Sequence, residues 1–205
     1  WLGLVYYHIG LLDLGLQECR KALQINPSSA FAQSRVGVNL LYSGRYEEAL
    51  AELKKVPEGF SVQVVPAQIA VTLLYLGRRE EARKALDEAA QLVPDEQYLL
   101  STQALVFAQD GKLSEAQQKI QMAEKKEKTF LGHFHHAAYN IASAYAVMKN
   151  NALAIDWLRR AAEGGFPCYP RFEKDPNLDN VRQDPAFQSL MNNLKKQWER
   201  YRTML

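Results

Sequence analysis

Cysteine is nearly absent from this chain: Cys19 and Cys168 are the only two in 205 residues, too far apart for a metal or redox spacing. Unpaired thiols in a reducing compartment, with a cytoplasmic location, are therefore the expectation. An excess of either charge is also lacking. Twenty-five Lys and Arg stand against 23 Asp and Glu, a net +2, so nothing in the balance points to nucleic acid or an acidic membrane. No apolar run approaches the ~18–20 residues a bilayer span needs, and the longest one is broken by His8, Gly10 and Asp13. The nucleophile elbow Gly-x-Ser-x-Gly, the zinc motif His-Glu-x-x-His and the Cys-x-x-Cys pair do not occur. Gly164-Gly165 stands alone after a helical pattern and reads as a helix C-cap, not a phosphate cradle. These patterns give no catalytic residue and no cofactor, and the chain reads as a non-enzyme.

What the sequence does have is a period. Gly10, Gly44, Gly77, Gly111 and Lys149 are separated by 34, 33, 34 and 38 residues. A repeat of that length means two-helix units that bury their apolar faces only by stacking on one another. In the third unit, helix A runs over Val64–Tyr75 and ends at Gly77. Helix B then opens on Arg78-Arg79-Glu80-Glu81-Ala82 and stops before Pro94. Small residues recur in the middle of helix A (Gly3, Gly37, Ala70, Ala104, Ala142) and in helix B (Ala49, Ala82, Ala116, Ala154). They let the two helices of a hairpin approach closely, while Tyr6, Leu40, Leu73, Phe107 and Tyr145 fill the remaining volume.

With five units in phase, the chain resembles the tetratricopeptide repeat family over residues 1 to about 163. It departs from the pattern at Gly15, at Lys149 and in a linker lengthened by four residues over Glu124–Gly132. The expected fold is an all-α, right-handed superhelical solenoid with units at about 1–29, 30–62, 63–96, 97–134 and 135–163. A linker and an amphipathic capping helix follow over 164–205. Because the chain opens at Trp1, inside the first helix of a unit, it is expected to be part of a longer polypeptide.

The resemblance implies that helix A lines the concave face. Carried over position by position, that face presents Tyr7, Phe31, Tyr42, Tyr75, Tyr98, His136 and Tyr139 as candidate peptide-binding residues, and every position assigned to it lacks Lys, Arg, Asp and Glu. Related repeats that hold the carboxylate terminus of a chaperone look like a cradle of Lys, Asn and Arg, which this face does not offer. The expected partner is a protein or peptide with an apolar or helical segment. Truncating Tyr42 and Tyr75 together should then abolish capture while leaving melting nearly unchanged.

Past Phe166 the repeat grammar stops. Pro167 and Pro170 forbid a helix across that stretch, and Asp175-Pro176 and Asp184-Pro185 each read as an N-cap followed by proline at the first helical position. Phe187, Leu190, Met191, Leu194, Trp198, Tyr201 and Leu205 then form one apolar helix stripe. That helix is read as a cap on the last unit, with filling of the groove or a dimer contact as alternatives. The run FEKDPNLDNVRQDPAFQSL, residues 172–190, is similar to tails that follow such arrays in bacterial signalling proteins. It implies a second role, a regulatory region acting on an upstream kinase, cyclase or DNA-binding domain. Last, His133, His135 and His136 cluster at the start of helix A in unit five. Two imidazoles three residues apart suit a metal, but no Cys or carboxylate nearby in sequence completes a ligand set, so the cluster reads as helix-end packing without a metal.

Overall fold

A computed structural model of the chain describes residues 1–126 and 134–204, and every regular element among them is helical. Five antiparallel hairpins follow one another. They pair α1 (Leu2–His8) with α2 (Leu12–Ile25), α3 (Ala30–Tyr42) with α4 (Tyr46–Leu53), and α5 (Val65–Tyr75) with α6 (Arg79–Leu92). The fourth and fifth pair α7 (Gln97–Gln109) with α8 (Leu113–Lys125) and α9 (Phe134–Val147) with α10 (Asn151–Glu163). The lengthened linker of the sequence reading falls partly on residues 127–133, outside the described residues. Among the described residues no helix is long and apolar enough to cross a membrane.

The turn inside each hairpin is the same object five times. Gly10, Gly44, Gly77 and Gly111 take φ of 82°, 76°, 73° and 74°, and Lys149 takes 61°. In each, two successive amides bond back to the carbonyls that the end of helix A leaves without helical partners. For the first turn these are Gly10 N–H to Tyr7 at 3.3 Å and Leu11 N–H to Tyr6 at 2.8 Å; for the fifth, Lys149 to Ala146 at 3.0 Å and Asn150 to Tyr145 at 2.9 Å. The hydrogen bonds thus hold a lysine in a left-handed conformation that a Cβ disfavours by about 1–2 kcal/mol. The period is therefore set by backbone geometry, and glycine is its cheapest solution.

Small residues set the distance between helices A and B. A Cβ built on Gly37 would lie 2.6 Å from Leu53 Cγ and 3.2 Å from the Leu53 backbone nitrogen, and one on Gly3 would lie 2.5 Å from Cys19 Sγ. Leu53 is fully buried, so it cannot swing away. Gly37→Ala should therefore cost about 1–3 kcal/mol by overpacking, despite alanine's better helix propensity. Urea unfolding of the variant measures it, and a gain in stability would contradict the packing described.

The remaining chain does more than cap the array. α11 (Tyr169–Lys174), a 3-10 turn (Pro176–Val181) and α12 (Pro185–Thr203) follow. Pro170 does not exclude helix, contrary to the sequence reading, because it falls in the first turn of α11, where no amide partner is lost. Both Asp-Pro caps form: Asp175 Oδ1 accepts from Asn177 N–H and Asp184 Oδ1 from Ala186 N–H, each at 2.9 Å. α12 buries Phe187 and Leu194 from its predicted stripe. It reaches back to the first hairpin, where the Trp198 indole N–H donates to the Gly10 carbonyl at 2.9 Å.

Candidate functional site

Aromatic side chains of the A helices form one inner wall, with Tyr7 packed on Tyr42, Tyr42 and Tyr98 on His136, and Tyr139 on Phe166. Tyr7, Tyr42, Tyr98, Tyr139 and His136 are buried on this wall, while Phe31 and Tyr75 are half-buried. Of the seven residues chosen from sequence, Tyr42, Tyr75, Tyr139 and His136 touch the chain's own tail, and Phe31 lines an open cleft.

Phe166 is the first anchor. Its ring is fully buried, with centroids 5.0 Å from Tyr42, 5.3 Å from His136, 5.5 Å from Tyr139 and 5.8 Å from His8. Phe172 adds a second buried ring, 4.9 Å from Tyr139. Between them Arg171 projects into a cage of three phenols, its guanidinium carbon 4.4 Å from the Tyr75 ring centre, 5.7 Å from Tyr139 and 5.8 Å from Tyr42. A desolvated guanidinium gains ~2 kcal/mol or more from such faces.

Asp175 completes the anchor. It lies 3.4 Å from Arg171, with both side chains shielded from solvent. Its Oδ2 accepts the hydroxyl of Tyr75 at 2.6 Å and that of Tyr139. Beyond it, Asn177 Nδ2 donates to Tyr75 Oη at 2.9 Å, and Gln109 Nε2 donates to Asn177 Oδ1 at 2.7 Å. One short segment, Phe166–Val181, therefore contacts all five hairpins. Burial holds the phenols of Tyr7, Tyr42, Tyr98 and Tyr139 above their ordinary ionisation range, and at Tyr139 the Asp175 carboxylate adds to it. Burial likewise pushes the Cys168 thiol up to about 12.

Two features of the sequence reading need correction. The inner wall is not free of charge: Arg35, buried on α3, donates to Tyr7 Oη at 3.0 Å and stacks 4.9 Å from the Phe31 ring centre. Phe31, Arg35 and Tyr42 stand at i, i+4 and i+11, one helix face, so the spacing that selected the aromatics selects Arg35 as well. Truncating Tyr42 and Tyr75 would not be silent in melting either. The hydroxyl of Tyr42 bonds His136 Nδ1 at 2.9 Å, and that of Tyr75 is held by Asp175 and Asn177.

The tail leaves one end of the groove open. A cleft of about 620 Å³ remains between hairpins one, two and five, lined by Trp1, Leu4, Val5, Phe31, Arg35, Phe60 and, at its floor, His8, His135 and His136. The histidine pair read from sequence included His133, which lies outside the described residues. The structure instead brings His8 from the first hairpin to His135 and His136 of the fifth, across 127 and 128 residues. No local pattern announces that contact, since it depends on how far five hairpins rotate.

Stacked helical hairpins with a filled inner groove define a helical-repeat solenoid. Residues 68–129 match the family model described as tetratricopeptide repeat. The match covers hairpins three and four, which are therefore similar to tetratricopeptide repeats, and the turn geometry of the other three hairpins is the same. Among solved structures it is similar to the crystal structure of the APC/C hetero-tetramer Cut9-Hcn1, with a TM-score of 0.64 at 15% identity, over 94% of this chain and 41% of that one. It thus spans about two fifths of that chain, and the likeness is one of fold. It is also similar to YrrB, described as a TPR protein with an unusual peptide-binding site, with a TM-score of 0.47 at 19% identity, over 95% of this chain and 88% of that one. No curated protein matches the chain in sequence.

Proposed function

We propose that the chain is a non-enzymatic protein-interaction scaffold, working in the cytoplasm, whose inner wall takes an apolar or helical peptide segment of a protein partner. The observation that carries this reading is the seating of Phe166–Val181. An aromatic ring, a caged guanidinium and a carboxylate bonded to two tyrosines hold a peptide segment against the wall, here one from the same chain. A partner segment would enter at the open end, where Trp1, Val5 and Phe31 offer apolar surface, and a longer one would displace the tail. Neither nucleic acid nor a membrane fits this wall.

The test is a displayed peptide library panned on the full chain. Enriched peptides should carry aromatic or large aliphatic anchors, and their affinity should fall about tenfold or more in Phe31→Ala, a loss of about 1.4 kcal/mol. No enrichment, or binding indifferent to Phe31→Ala and Val5→Ala alike, would remove this reading. A second reading is a regulatory region of a bacterial signalling protein, acting on an upstream domain. It is favoured by the same self-occupied groove, since a wall held by its own tail is a wall that can be released. A kinase, cyclase or DNA-binding domain in the coding sequence upstream of Trp1 would support it, and further repeats alone would weaken it.

A further inference from the structure

We infer that His8, His135 and His136 form a binding site for a divalent transition-metal ion of the zinc class, which ties the first hairpin to the fifth. The three rings meet through the same atom. His8 Nε2 lies 3.0 Å from His135 Nε2 and 3.2 Å from His136 Nε2. One ligating atom from each of the three residues falls within 4.8 Å of the others. A tetrahedral zinc with bonds of about 2.0–2.1 Å holds its nitrogens about 3.3–3.4 Å apart, so His8 needs to separate only slightly from each of the other two rings to admit the ion.

Two of the nitrogens facing away from the convergence point, those of His8 and His136, are already held. His8 Nδ1 lies 2.7 Å from the Leu4 carbonyl, which can only accept, so Nδ1 carries the proton and the Nε2 lone pair points at the other two rings. His136 Nδ1 is held 2.9 Å from the Tyr42 hydroxyl. Anchoring the far nitrogen in this way orients an imidazole and raises its basicity as a ligand. A lone pair on His8 Nε2 serves one N–H donor well, whereas a cation at the centre takes a lone pair from each ring.

Burial and access also agree. His8 and His136 are buried and His135 is half-buried, at the floor of the cleft, which leaves an entry path and room for a fourth ligand. Three neutral imidazoles leave the ion's charge uncompensated, and Arg35 lines the same cleft. Those charges favour an anion, hydroxide or chloride, in the fourth position. Imidazole ligands of this kind suit zinc, copper, nickel or cobalt and not calcium or magnesium.

Calorimetry of the tag-free full chain with zinc chloride, joined to absorption spectra with cobalt, tests the assignment. One ion per chain, visible bands of tetrahedral cobalt, and a melting temperature raised by zinc and restored by chelator are expected. His8→Ala and His135→Ala should each abolish tight binding; His135 is half-buried, so its variant stays folded if hairpin one does not tolerate the first. Tyr42→Phe, which keeps the ring and removes the anchor for His136, should weaken binding about 10–100-fold. Absence of stoichiometric binding by the folded wild-type chain would overturn the proposal. So would equal affinity in His135→Ala, since the ion would then sit elsewhere.

Discussion

Asp175→Ala should cost the protein about 3–5 kcal/mol and release the tail from the inner wall. The side chains of Arg171 and Asp175 are 3% and 0% exposed. Deleting the carboxylate leaves a guanidinium that water cannot reach, while the hydroxyls of Tyr75 and Tyr139 lose their shared acceptor. An exposed ion pair would behave differently, being worth roughly 0–1 kcal/mol. The cost of the variant therefore measures burial, not just charge. Replacing both partners, as Arg171→Met with Asp175→Asn, removes the stranded cation and keeps an oxygen for the tyrosines, so most of the loss should return. Urea unfolding gives the energies, and trypsin cleavage after Arg171 or Lys174 in Asp175→Ala but not in wild type shows that the tail has detached. A loss below about 1 kcal/mol would mean that the pair faces solvent.

Alkaline pH should also lower stability, without any substitution. Tyr7, Tyr42, Tyr98 and Tyr139 are buried, and burial raises each phenol above its usual value of about 10. Above that value the unfolded chain gives up protons that the folded chain retains. Fewer protons on the unfolded state mean that stability falls as pH rises. The contribution of these four phenols is complete below pH ~10 and is lost as pH rises beyond it, until the folded phenols ionise in turn. The Cys168 thiol, pushed up to about 12, acts in the same direction. Phenolate absorbance and helical circular dichroism should therefore change together in one cooperative step. Titration of all ten tyrosines near pH 10 with helicity intact would mean that the inner wall is open to water.

The repeat architecture was legible because its causes are local. A left-handed residue every 33 to 38 positions, a small residue in each helix and prolines beyond two of the helices are all written in one unit at a time. Lys149 shows the limit of reading by residue type, since the turn forms there without glycine. A helix-A face rich in aromatics was legible as well, and Tyr42, Tyr75, Tyr139 and His136 on it touch the tail. Its occupant was not. Asp175 announces itself through Pro176 as an N-cap, and Oδ1 does cap; nothing in the neighbouring sequence says that Oδ2 will take hydroxyls from Tyr75 and Tyr139. The partners lie 100 and 36 residues away, and their meeting is fixed only by the summed rotation of the hairpins. His8 reached His135 and His136 by the same route.

Through-space magnetisation transfer between aromatic rings reports the seat of the tail directly. With Phe and Tyr selectively labelled in the full chain, cross-peaks should join the Phe166 ring to those of Tyr42 and Tyr139, whose centroids lie 5.0 Å and 5.5 Å away. Cross-peaks should likewise join Phe172 to Tyr139. Their absence in a folded sample, with Phe166 showing the shifts of a solvated ring, would contradict the filled groove and the peptide-binding role argued from it.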